Sequence, residues 1–104
     1  MNMKVHLRPQ AKKDLIDLLE YIKSNNKAAV KRLQNAINET LALVLENPLI
    51  ASELNNLDES YSEIRCIQIK GFNNYNIYYR PIEASDNIEI IRLGFGGRDW
   101  GNLL

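Results

Sequence analysis

The sequence predicts an α+β domain in the order β-α-α-β-β-β, with an antiparallel αα-hairpin packed on a mainly antiparallel sheet. Three observations predict it: an alternating stretch near the amino terminus, two successive stretches with apolar residues every three or four positions, and a second half of short β-rich runs separated by turns. At 104 residues the chain has the size of one domain, 1–104.

Met3, Val5 and Leu7 alternate with Lys4, His6 and Arg8, the period of a half-buried strand. His6 falls on its polar face with no Ser, Cys or second His to partner it, so it reads as a solvated strand residue. Pro9 ends this strand and suits the first position of a helix, where its missing N–H costs nothing. From Pro9 to about Lys23 the apolar residues Ala11, Leu15, Leu18, Leu19 and Ile22 share one helical face. Ser24, Asn25 and Asn26 interrupt the pattern and offer oxygens to cap a second helix. That helix runs from about Lys27 to Glu46, with Val30, Leu33, Ile37, Leu41, Val44 and Leu45 as its stripe, and Pro48 stops it. Each helix has one apolar face, so both need a sheet to cover.

The connection from Leu49 to Ser62 is polar and has no readable period. Three β-rich runs follow, Glu63 to Lys70, Tyr75 to Arg80 and Ile88 to Leu93, separated by turns at Gly71–Asn74 and Glu83–Asn87. Consecutive strands joined so closely should pair antiparallel.

Thirteen basic and thirteen acidic side chains cancel, so no bulk field draws the chain to nucleic acid or to an anionic membrane. The cancellation hides an asymmetry: residues 1–50 carry eight basic and five acidic groups, and residues 51–104 carry five basic and eight acidic. One cysteine, Cys66, allows no internal disulfide and reads as a small buried apolar residue. One His and one Cys supply no zinc quartet, and neither HExxH nor CxxC occurs, so no metal and no cofactor is expected. The longest apolar runs fall far short of the roughly 20 residues that span a bilayer. Charges occupy the amino terminus where a signal peptide needs an apolar segment, so a soluble, cytoplasmic protein is expected.

Four of the six arginines, Arg65, Arg80, Arg92 and Arg98, lie in the last forty residues, interleaved with Phe72, Tyr75, Tyr78, Tyr79, Phe95 and Trp100. Rigidly held guanidinium forks suit phosphates and carboxylates, so these residues read either as a recognition face or as ion pairs with the acidic groups of the same half. Gly94-Phe95-Gly96-Gly97 follows a strand but lacks GxGxxG and leaves too little chain for a phosphate-binding helix, so it reads as a tight turn. The tail Trp100-Gly101-Asn102-Leu103-Leu104 either folds back on the core or anchors a partner.

In chain order, Ala11-x-x-Asp14-Leu15 with Tyr21-Ile22, Ala29, Asn47-Pro48, Ile64-Arg65, Lys70-Gly71-Phe72-x-Asn74-Tyr75-x-Ile77-x-Tyr79-Arg80-Pro81 and Ile88-x-Ile90-x-Arg92-Leu93-x-x-Gly96-x-Arg98-Asp99-Trp100 resemble the ParE/RelE superfamily of type II toxin-antitoxin toxins, on the ParE side. The resemblance implies the RelE/ParE-like fold and a growth-arresting toxin of the kind used in plasmid stabilization. It implies neutralisation by a cognate antitoxin in a hetero-oligomeric complex.

Members on the ParE side inhibit DNA gyrase by protein-protein contact. The residues that the resemblance then offers to the target are Arg98, Asp99, Trp100, Leu103 and Leu104. Members on the RelE side cut mRNA on the ribosome with basic residues and a tyrosine, for which Arg65, Arg80, Tyr78 and Arg92 are the candidates. Zero net charge favours the inhibitor, because docking on a dense phosphate array calls for a strongly basic surface. Strand alternation also puts Tyr78 with Arg80 on one face and Tyr79 on the other. Two departures from the family pattern, Phe95 where many members have His and Ile50 where a glycine is usual, leave a further alternative: an attenuated toxin that retains only antitoxin binding.

Overall fold

The computed structural model describes residues 5–53, 64–82 and 87–95. The expected strand start at Met3, most of the polar connection and the last nine residues lie outside them. Within them the order is β1 (Val5–Leu7), α1 (Pro9–Asn25), α2 (Lys27–Glu46), β2 (Ser52–Glu53), β3 (Arg65–Ile69), β4 (Phe72–Pro81) and β5 (Ile88–Phe95). The strands form one sheet in the order β1-β5-β4-β3-β2. Every neighbouring pair is antiparallel except β1 with β5, which is parallel, as the long connection between them permits.

The hairpin is tighter than its sequence suggests. α1 continues through Ser24 and Asn25, whose side chains both donate to the Tyr21 carbonyl at 2.8 and 3.0 Å and so satisfy an acceptor of the last turn. Asn26 alone links the helices. Its N–H closes α1 on the Ile22 carbonyl at 2.7 Å, and its side-chain oxygen accepts the Ala28 N–H at 3.1 Å to start α2.

α1 lies along β5 and α2 along β3. Ala11 and Leu18 of α1, Leu33, Ala36, Ile37 and Val44 of α2, and Ile69, Ile77, Tyr79, Ile88, Ile90 and Leu93 of the sheet form the main core. Small residues matter to this seam: Ala29, Ala36 and Thr40 are buried, whereas Val30, Leu41 and Leu45 are only partly so. Thr40 Oγ1 donates to the Ala36 carbonyl at 2.7 Å and accepts the Lys70 N–H at 3.1 Å, which ties α2 to the β3–β4 turn.

That turn corrects the expected Gly71–Asn74 loop. β4 begins at Phe72, so Lys70 and Gly71 alone make the reversal, and Gly71 takes a φ of 80° that favours glycine. The register between β3 and β4 then shifts between Gln68 and Ile69, which absorbs the extra residues into β4.

Candidate functional site

Alternation on β4 separates the two tyrosines. Tyr79 enters the main core under the helices, while Tyr78 joins Ile64, Ile91 and Cys66 in a second cluster on the other face. On β5 a register shift inverts the pattern: Tyr78 pairs with Arg92 and Tyr79 with Ile90, leaving Ile91 as the bulged residue. As a result Leu93, not Arg92, packs in the main core.

The bulge brings Arg92 to the edge of β5 beyond the last β1 pair, Leu7 with Ile90. There Asp14 of α1 takes the place of a neighbouring strand. Its Oδ2 accepts the Leu93 N–H at 3.1 Å and Arg92 Nε at 2.7 Å, and its Oδ1 accepts Arg92 Nη2 at 3.0 Å. The side chains are only 13% and 10% exposed, so this bidentate pair forms in a largely desolvated setting. Bonding to the Asp14 carboxylate pushes the Arg92 pKa above its ordinary value, against the opposing effect of burial.

Arg65 is committed elsewhere. It stands opposite Tyr79 on β3, and its Nη1 donates to the carbonyls of Leu49 and Ala51. The Tyr79 hydroxyl donates to the Pro48 carbonyl at 2.9 Å. Together they fix the segment that leaves α2, which presents Leu49 and Ile50 to solvent. Asn47 completes the turn by accepting the N–H of Leu49 on its side chain and that of Ile50 on its backbone carbonyl.

Arg80 lies at the far end of β4, on the face of Tyr78. Its Nη2 reaches Glu89 Oε1 at 2.9 Å, and Arg8 Nη2 reaches the same oxygen at 3.0 Å. Tyr78 Oη accepts from Asn76 Nδ2 at 3.4 Å, and burial pushes its pKa up to about 12. The same desolvation raises the Cys66 thiol, which keeps it a poor nucleophile.

The four nuclease candidates therefore sit in three settings: Arg65 under the connector, Arg92 on the α1 edge, and Arg80 with Tyr78 on the sheet face opposite α1 and α2. Two shallow depressions of about 440 and 470 Å³ flank α2, and their linings contain none of the four. Among the described residues no three His, Cys, Asp or Glu side chains gather where they could hold a metal ion, and no helix is long and apolar enough to cross a membrane. Arg98, Asp99, Trp100, Leu103 and Leu104, the expected target-facing residues, lie outside the described residues.

Sequence reasoning gave no role to Arg8, Glu89 or Asp14. Asp14 carried a signal, because a carboxylate three residues after Ala11 and four before Leu18 falls on the buried stripe of α1.

An αα-hairpin laid on one face of a five-stranded mixed sheet is an architecture shared with solved toxin-antitoxin structures. The chain matches the toxin-antitoxin structure "Chromosomal ParDE TA system from P. aeruginosa" with a TM-score of 0.66 at 15% identity, over 89% of this chain and 95% of that one. It matches the intact E. coli RelBE toxin-antitoxin complex with a TM-score of 0.59 at 21% identity, over 93% and 100% of the two chains. For the YoeB-YefM complex from Staphylococcus aureus the TM-score is 0.56 at 21% identity, over 91% and 98%. At such identities these likenesses establish the fold. No curated protein sequence matches significantly.

The family described as ParE toxin of type II toxin-antitoxin system, parDE, matches residues 5–100. The chain belongs to that family, and is a type II toxin of the ParE/RelE superfamily.

Proposed function

We propose that this toxin acts in the cytoplasm, is held inactive by a cognate antitoxin in a hetero-oligomeric complex, and arrests growth by contacting DNA gyrase rather than by cutting RNA. The observation that carries the choice is the disposition of the basic residues. Cleavage of a phosphodiester calls for several cations converging on one phosphate, with a group able to move a proton near neutral pH. Here Arg92 is closed in a bidentate pair with Asp14, Arg65 holds the carbonyls after α2, the two guanidinium groups that do converge, Arg8 and Arg80, are both engaged by the Glu89 carboxylate, and burial keeps Tyr78 a phenol. Arrangement of this kind suits a protein whose work is done by its surface. Zero net charge favours the same reading, since it provides little counterion-release affinity for a ribosome.

On this reading Arg98, Asp99, Trp100, Leu103 and Leu104 are the target-facing residues. Trp and Arg are the side chains that most often dominate protein contacts. The test is a supercoiling assay with purified gyrase and toxin, paired with mapping of mRNA ends after induction. Inhibition of supercoiling without codon-phased cuts is expected. Growth arrest with unimpaired gyrase and codon-phased cuts would establish the endoribonuclease instead, and antitoxin binding without growth arrest would establish an attenuated toxin.

A further inference from the structure

On the sheet face opposite α1 and α2, two arginines from distant parts of the chain meet on one carboxylate oxygen. Arg8 precedes α1 and Arg80 lies near the end of β4, and both place Nη2 on Glu89 Oε1, at 3.0 and 2.9 Å. The two guanidinium groups are thus no farther apart than these two contacts laid end to end. Two positive charges face one negative charge, and the arginine side chains remain 44% and 37% exposed while Glu89 is 22% exposed. Each guanidinium has five N–H donors, of which Glu89 engages a minority. His6 pairs with Glu89 across β1 and β5 and adds an exposed imidazole beside them.

The placement of Arg8 is costly for the fold alone. It occupies the cap position of α1 without making a side-chain cap, and the first turn contains no acidic residue. A helix start ordinarily favours Asp, Ser or Thr there, so a cation at that point forgoes stability. Pairing with Glu89 recovers little, because ion pairs this exposed contribute about 1 kcal/mol or less.

We propose that Arg8 and Arg80 form a two-pronged dock for a carboxylate side chain in an acidic segment of the antitoxin. Carboxylate geometry is already demonstrated at this point by Glu89, and planar guanidinium forks bind carboxylates with directional, charge-assisted hydrogen bonds. Among the described residues these three side chains carry a surplus of one positive charge, which matches the single charge of Glu or Asp. A nucleic acid strand would instead need a track of cations along successive phosphates. That the segment belongs to the antitoxin rests on the function proposed above; the dock itself does not.

The test uses the purified toxin and a fluorescein-labelled hexaglutamate peptide, with anisotropy read at low salt. Arg8→Gln combined with Arg80→Gln should weaken binding about tenfold. Removing the same charge from exposed α1 positions, with Lys12→Gln and Lys13→Gln, should change it less than about twofold. Glu89→Gln, which frees both forks, should strengthen binding severalfold, a gain that a damaged fold cannot produce. Equal losses in the two double variants, or no gain from Glu89→Gln, would overturn the proposal. Tighter capture of a labelled hexathymidylate than of hexaglutamate, lost in the arginine variant, would also overturn it in favour of nucleic acid. None of these readouts involves gyrase or growth, so failure of the toxin mechanism and failure of the dock are distinguishable.

Discussion

Arg92 and Arg80 stand on adjacent strands and each bonds a carboxylate, yet the two pairs do different things. Arg92 and Asp14 join a helix to the end of a strand, with both side chains almost wholly covered and the same carboxylate accepting a backbone N–H. Arg80 shares Glu89 with Arg8 at a surface open to solvent. A desolvated pair is strongly coupled to folding, because losing one member leaves a charge or a polar group without compensation. In an exposed cluster water takes over the lost contact, so the same residue type is available for binding. Burial, more than residue identity, separates an architectural arginine from one that can meet a partner.

The largest expected effect lies at the buried pair. Asp14→Ala removes the partner of Arg92 and orphans the Leu93 N–H, and should destabilise the protein by about 3 kcal/mol in urea unfolding. Asp14→Asn sharpens the comparison, since its amide oxygen can still accept the Leu93 N–H. It should lose roughly half as much. Equal losses for Ala and Asn would assign the whole effect to charge.

Arg65 provides an intermediate case. Its partners are carbonyls rather than a carboxylate, and Arg65→Gln should cost about 1 to 2 kcal/mol. Its signature should be local, with faster amide exchange or proteolysis around Leu49 and Ile50 before global unfolding. Tyr79→Phe, which deletes only the bond to Pro48, should give the same signature at about 1 kcal/mol.

Tyr78 tests the covered part of the sheet face opposite α1 and α2 by pH. A folded-state pKa raised from the ordinary 10 to about 12 means that the folded protein holds this proton more tightly than the unfolded chain. The associated stability is fully present below pH 10 and is lost as pH rises from 10 towards 12. Tyr78→Phe should reduce the slope of stability against pH in that window, and ultraviolet titration of the folded protein should lose its step near 12. An unchanged slope would mean that Tyr78 is solvated.

Much of this arrangement was legible in the chain. Spacing of three and four residues located both helices, because each has a continuous apolar face; alternation located Val5–Leu7, and β-rich runs between turns located the three later strands. Buried Ala29, Ala36 and Thr40 were harder to read, since close helix packing selects small residues that hydrophobicity alone undervalues. β2 is two residues long and has no period to detect. The β5 bulge did leave a trace: Ile90 and Ile91 are adjacent, and the core-facing series Ile88, Ile90, Leu93 steps by two and then by three. Pairing between particular charges was the least legible. Arg80 finds its acid nine residues away on the neighbouring strand, whereas Arg92 finds its acid 78 residues away on α1, a choice made by tertiary packing.

The smallest stability effect is also the one that decides what the exposed cluster is. If Arg8 and Arg80 are held for binding, Glu89→Gln should change the unfolding free energy by less than about 0.5 kcal/mol, since water can solvate both freed guanidinium groups. Raising salt should affect the parent more than the variant, because the contacts removed are screened ones. A loss approaching that of Asp14→Ala would mean instead that Glu89 holds β1, β4 and β5 together, and that its two arginines are architectural like Arg92. The contrast between the two carboxylates is therefore measurable on one scale, with Asp14 and Glu89 expected at opposite ends of it.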